Sequence, residues 1–167
     1  MIDPTRPNRN IYLLYPKMLD NLILALDHVE QEGIKAYVFE AVRFHERQAW
    51  LYGQGRTRPG RVVTRAKPGY GWHEYGLAVD IVFDASPRDG IQWSWDGDYV
   101  GKKEGDYKRL GEIMRSHGFE QLMKRGRYYD LPHFQWTYGL SIHEAFLIYQ
   151  KYGIFGVWQE ITNRSNR

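Results

Sequence analysis

Apolar positions along the chain follow two different periods. Between Pro16 and Glu32, Met18, Leu19, Leu22, Ile23, Leu26 and Val29 recur mostly at three and four, the spacing of one buried helical face, and Gly33 supplies a stop. Lys35 to Val42 (KAYVFEAV) is β-branched and aromatic, which predicts a strand. A short helix over His45 to Tyr52 comes next, then the Gly- and Pro-rich loop GQGRTRPG, with Arg61 to Arg65 as a further short strand candidate. Leu77 to Phe83 is the clearest strand, apolar apart from Asp80, and such a run predicts burial on both faces. IQWSWDGDYV predicts a hairpin turning at Asp96 and Gly97. Glu104 to His117 sets Tyr107, Leu110, Ile113 and Met114 on one helical face, closed by Gly118. Phe119 to Leu122 and His133 to Trp136 are short strand candidates. Ser141 and Glu144 spell a capping box for a last helix that turns Ala145, Phe146, Ile148 and Tyr149 inward. With no repeat, low-complexity tract or linker, the pattern predicts one α+β domain over residues 1–167, a small antiparallel sheet flanked by helices, with residues 1–10 as an extended arm.

One charge breaks the pattern. An aspartate in the middle of an apolar strand is costly unless it is paired or bound to a metal. His73 precedes Asp80 by seven positions, an odd separation that would put the two on opposite faces of one regular strand. Gly76 offers the bend that could bring them together, with His73 in the loop before the strand. Further on, Asp130, His133 and Trp136 fall in the run YYDLPHFQW. Two histidines and a carboxylate, His73, His133 and Asp80, make a catalytic zinc set whose fourth position stays open for water. Asp130 is then spare and suited to act as general base. Trp136 is expected to pack beneath His133. Each residue has a plainer reading: a histidine hydrogen-bonded to backbone, Asp80 capping a turn, Asp130 opening one before Leu-Pro. The joint pattern requires all of those explanations at once.

Composition narrows the chemistry. The 167 residues suffice for one core without staples, and the absence of cysteine removes disulfides, thiolate metal sites and cysteine nucleophiles. Any zinc must be held by nitrogen and oxygen. The formal charge of +3 favours polyanionic partners of several kinds, a cell wall among them, but Lys and Arg are scattered and no recognition-helix or RNA-binding signature is present, so no nucleic-acid partner is expected. No stretch is long enough for membrane insertion, and MIDPTRPNRNIYLLYPK lacks the apolar run of a secretory signal, which leads to the expectation of a monomer made in the cytoplasm.

Three blocks carry a resemblance: RFHERQAWLYGQGRT from Arg43, VVTRAKPGYGWHEYGLAVD ending at Asp80, and DLPHF from Asp130. Together they resemble the zinc peptidases of the D-alanyl-D-alanine carboxypeptidase and L-alanyl-D-glutamate endopeptidase family, which cut peptidoglycan stem peptides. The resemblance runs from about residue 17 to 145 and implies a zinc site on the sheet, held by His73, Asp80 and His133, with Asp130 as the catalytic carboxylate. It also implies that Arg43 stabilises the substrate carbonyl or carboxylate and that Gln48 is a polar group of the pocket. A guanidinium, always charged and forked, suits an oxygen that gains charge; the plainer reading of Arg43 is an ion pair with Glu46 or another neighbour.

The chain departs from the family pattern in two places. Gly71 stands where members carry a serine, so one pocket hydrogen bond is either missing or comes from elsewhere, with Tyr70 and Trp72 as the candidates, and EQLMKRGRYYD replaces a segment with paired glycines and a tryptophan. The QGRT and DLPHF spellings resemble the endopeptidase branch, and the resemblance extends to compact phage endolysins, released to the host wall by a partner that opens the membrane. Three rivals stand beside this reading: a D-alanyl-D-alanine carboxypeptidase, a sugar-binding domain without metal, and a non-catalytic zinc module in which His45 or His117 closes the fourth position. The insert from Ala85 to Gly105, with Trp93 and Trp95, reads either as a lid or as an inert hairpin.

Overall fold

The computed structural model describes residues 3–83, 104–124, 127–128 and 130–167. Four helices and six strands follow one another along them: α1 (Pro16–Gln31), β1 (Ala36–Glu40), α2 (His45–Gly53), β2 (Ala78–Phe83), α3 (Glu104–Ser116), β3 (Glu120–Gln121), β4 (Met123–Lys124), β5 (Arg127–Tyr128), β6 (His133–Gln135) and α4 (Ile142–Ser165). Single 3-10 turns occupy Ile11–Leu13 and Trp72–Tyr75. The fold is α+β, as the pattern of periods predicts.

The main sheet has the strand order β1-β2-β6-β3, with every neighbouring pair antiparallel. β2 lies inside it and all six of its residues are buried, which accounts for its near-continuous apolar sequence. Strand alternation sorts its side chains into two sets. Val79, Ile81 and Phe83, with Phe134 of β6, join one hydrophobic core with Met18, Leu22, Ala25 and Val29 of α1 and Leu110, Ile113 and Met114 of α3. Asp80 belongs to the opposite face. A β-bulge in β1 shifts the pairing there, so that Val38 lies opposite Ile81 while Glu40, not Phe39, lies opposite Asp80.

Several expectations are corrected. Residues 61–65 form no strand; among the described residues no strand pairs with them, and Val62 and Val63 are exposed. Ile23 is exposed, because the face of α1 that meets the sheet is narrower than the apolar stripe suggests. Tyr149 is exposed too and meets the buried Tyr75 edge-on, centroids 5.6 Å apart. Trp136 does not lie beneath His133. Three residues along an extended chain reverse the face, and its ring packs in the core with Phe119 and Tyr15, 6.1 and 6.2 Å away. The two-residue strands β4 and β5 pair in a small second sheet with no clear sequence signal. The expected hairpin at residues 91–100 lies outside the described residues, as does the insert apart from its last two residues, which open α3.

The last helix carries the predicted capping box, with Ser141 and Glu144 bonding each other's backbone N–H. It kinks at Gly153 (φ 67°) and continues to Ser165, and its second half closes over the site loop through Trp158, whose indole N–H donates to the Tyr75 carbonyl at 2.7 Å. The arm at residues 3–10 is tied to the end of β1: Ala41 N–H donates to the Asn8 carbonyl at 2.7 Å, and the Asn8 amide to the Val42 carbonyl at 3.0 Å. Among the described residues no helix is long and apolar enough to cross a membrane.

Candidate metal centre

A glycine bend and the pleat of two strands build the centre. The 3-10 turn Trp72–Tyr75 ends at Gly76 in the left-handed region (φ 64°, ψ 28°), from which the chain enters β2 with His73 beside Asp80. Asp80 and His133 are direct cross-strand partners and therefore share a face. Three donor atoms converge: His73 Nε2 lies 3.2 Å from Asp80 Oδ1 and 3.3 Å from His133 Nδ1, and His133 Nδ1 lies 3.2 Å from Asp80 Oδ1. All three residues are buried.

The outer nitrogens settle what the inner atoms are. His73 Nδ1 sits 2.7 Å from the Ala41 carbonyl, which can only accept, so Nδ1 carries a proton and Nε2 is the nitrogen left to offer a lone pair inward to a metal. His133 Nε2 sits 3.1 Å from Gln135 Oε1, which leaves the lone pair on Nδ1. With Asp80 Oδ1, three lone pairs then face one another inside the protein, and a shared cation relieves the repulsion. A tetrahedral zinc with bonds of about 2.0–2.1 Å holds its ligands about 3.3–3.4 Å apart, close to the triangle found here. The residues fit zinc.

Without a metal the substitute cation is a proton. Burial alone would raise the Asp80 carboxyl, but the charge of His73 and hydrogen bonds from both rings outweigh it and hold that carboxyl well below its ordinary range. Burial alone would lower His133; its hydrogen bond to Asp80 and that carboxylate's charge reverse the sign and raise it. Asp130 stands outside the triangle, in the turn before β6, where its carbonyl accepts the His133 N–H at 3.2 Å. One side of it is open to solvent. The protein behind it desolvates the carboxyl and raises its pKa, with the Asp80 charge adding to the rise and His133, His73 and Arg43 opposing it.

Arg43 contacts the centre through Asp80. Its Nη2 donates to Asp80 Oδ2 at 3.2 Å and to Glu40 Oε2 at 2.6 Å, its Nε to Glu40 Oε2 at 2.9 Å, and its Nη1 to Gln48 Oε1 at 3.1 Å. The ion-pair partner is thus Glu40 rather than Glu46. Gln48 is fully buried with both ends of its amide engaged, since its Nε2 donates to the Ala66 carbonyl at 2.7 Å. A Cβ at Gly71 would come 3.3 Å from Gln48 Oε1, which puts that glycine against the same network. Tyr70 stacks on Phe146, centroids 4.8 Å apart, and on His143 of α4, while Trp72 meets Tyr75 edge-on. His45 pairs with Glu74, and His117 with His28, so neither joins the triangle among the described residues.

Sequence reasoning missed Glu40, Arg47 and Gln135. Gln135 had a signal, since two residues past His133 in an extended strand is the same face. Glu40 depends on the bulge in β1, which no local pattern announces.

With this geometry in place, comparisons define the class. The sequence model of the VanY family, described as D-alanyl-D-alanine carboxypeptidase, matches residues 13–137. Peptidoglycan L-alanyl-D-glutamate endopeptidase CwlK of Bacillus subtilis (strain 168) is 35% identical over 124 residues, which span 73% of this chain and 72% of CwlK. Among solved structures the LdcB LD-carboxypeptidase has a similar fold, with a TM-score of 0.53 at 18% identity over 89% of this chain and 68% of the LdcB chain. The chain is a peptidase of the peptidoglycan-acting class. It belongs to the VanY family.

Proposed function

We propose that this chain is a zinc-dependent endopeptidase that hydrolyses the L-alanyl-D-glutamate bond of peptidoglycan stem peptides and thereby lyses the bacterial wall, as an endolysin does. The observation that carries the reading is the triangle of inward lone pairs from His73, Asp80 and His133, with a carboxylate beside it that takes no part in it. The choice of bond is supported by the 35% identity to CwlK, whose name states that activity.

Zinc held by the triangle would supply a Lewis acid that polarises the scissile carbonyl and acidifies water. Asp130 would take the proton of the attacking water and pass it to the departing amine, and its raised pKa suits a group that must both accept and return a proton. Four of the five N–H groups of Arg43 are engaged among the described residues. The remaining Nη1 hydrogen would meet the carbonyl oxygen as it gains charge, at a guanidinium already held in place. Tyr70 and Trp72, on the loop that leads to His73, would border the substrate.

A second reading, D-alanyl-D-alanine carboxypeptidase, is favoured by the description of the matching family. Digestion of peptidoglycan by the zinc-loaded protein, with termini identified by mass spectrometry, separates the two. The expected products are new glutamyl N-termini and free L-alanyl C-termini, lost with chelator and regained with zinc. Released D-alanine would replace the reading with the carboxypeptidase, and an inert zinc-loaded protein would leave a binding module. Asp130→Asn is expected to keep its zinc and lose turnover by about 10²- to 10⁴-fold, the range for a general base.

A further inference from the structure

We infer that the N-terminal arm, Arg47 and Glu40 form a brace that positions Asp80 and His73 for the metal. The inference rests on the zinc reading above. Its starting point is the bulge in β1, which turns Glu40 rather than Phe39 toward Asp80. Glu40 is 1% exposed, and a carboxylate buried that deeply is stable only when its charge is met. Arg43 meets Oε2 from one side, and Arg47, itself buried, meets Oε1 through its Nε. Two guanidinium groups and two carboxylates, those of Glu40 and Asp80, thereby form a neutral set.

The order of contacts gives the brace its effect. Arg43 occupies Asp80 Oδ2, so Oδ1 alone turns into the triangle and the carboxylate is presented through one oxygen. Glu40 holds Arg43 at that angle, and Arg47 holds Glu40. Arg47 in turn is anchored by the arm, its Nη1 donating to the Pro4 carbonyl at 3.1 Å. The same arm reaches the other ligand. Asn8 bonds the Ala41 N–H and the Val42 carbonyl, the peptide groups on either side of the one whose carbonyl accepts the His73 ring N–H at 2.7 Å. Two of the three ligand side chains are thus oriented through groups tied to residues 3–10, which precede the stretch matched by the family. Glu40, Arg47 and Asn8 are positioning residues. They act through Arg43 and the Ala41 carbonyl, which contact Asp80 and His73.

The test is zinc affinity of the full chain, measured by competition with a chromophoric chelator, together with the ligand-field spectrum of the cobalt-substituted protein. Glu40→Gln and Arg47→Lys are expected to weaken zinc by about 10- to 100-fold, the usual cost of losing a partner behind a metal ligand, and to alter the cobalt spectrum. Asn8→Ala should move both in the same direction by less. Ile161→Val, a core change on α4, is the control for stability loss alone and should leave both readouts at the parent's values. Should Glu40→Gln not fold, Arg47→Lys decides, since it keeps the charge and loses the fork. Folded variants that bind zinc within about threefold of the parent, with an unchanged cobalt spectrum, would overturn the brace and leave the zinc reading standing. A parent chain that takes up no zinc would overturn both.

Discussion

Replacing Gly76 by alanine perturbs the bend that brings His73 to Asp80, and the structure allows the cost to be worked out. An L-residue in the left-handed region costs about 1–2 kcal/mol, partly offset by about 0.4–1 kcal/mol from the lower entropy of the unfolded chain. Crowding adds to this, because a Cβ at Gly76 would lie 3.2 Å from the Leu13 carbonyl oxygen and 3.4 Å from Leu14 Cα. These are backbone atoms of the segment before α1, tied down by the Tyr15 N–H donating to the Gly76 carbonyl at 3.0 Å, and they yield little. Gly33 is the control: φ is 73°, yet among the described residues no heavy atom beyond its chain neighbours lies within 4 Å of its added Cβ. Gly33→Ala therefore carries the dihedral cost alone. Gly76→Ala should lose about 1 kcal/mol more, a midpoint lower by about 2–4 °C for a chain of this size. Zinc affinity provides the second readout, since a shift of the 3-10 turn moves His73 but leaves Asp80 and His133 in register. Thermal unfolding and chelator competition on both variants check the reasoning. Equal destabilisation, or a Gly76→Ala protein with the parent's zinc affinity, would refute it.

Two further outcomes follow from the charges. Because Asp80 raises the pKa of His133 in the metal-free centre, the proton is retained up to a pH above the ordinary imidazole value, and zinc must displace it. Zinc uptake should therefore release a proton into weakly buffered solution, and apparent affinity should fall as pH drops through that raised value; pH-independent affinity across neutrality would contradict the assignment. Glu144 is lowered chiefly by its hydrogen bond with Ser141, so its contribution is fully present above the ordinary glutamate value and is lost as pH falls through the lowered one. Ser141→Ala should depress the midpoint at pH 7 more than at pH 3, measured by circular dichroism.

The sequence by itself determined the periodic elements and the identity of the chemistry-bearing residues. The helical faces of α1 and α3, the buried strand β2 and the capping box of α4 are local: spacing and burial decide them within a few turns of chain. So is the oddity of an aspartate in an apolar strand, which marks Asp80 before any fold is known. Its partner His73 was legible through Gly76, because glycine is the residue that can enter the left-handed region without strain. What only the tertiary structure decided is how those residues are held. The register of β2 against β6 sets His133 opposite Asp80, and the bulge in β1 sets Glu40 there too, both long-range pairings. The partners of the two rings, the Ala41 carbonyl and Gln135, come from separate segments of the chain. Trp136 shows the same limit from the other side: its spacing from His133 allowed a contact that strand alternation forbids. The donor types can be read from the chain, but the protonation and orientation of each depend on neighbours distant in sequence.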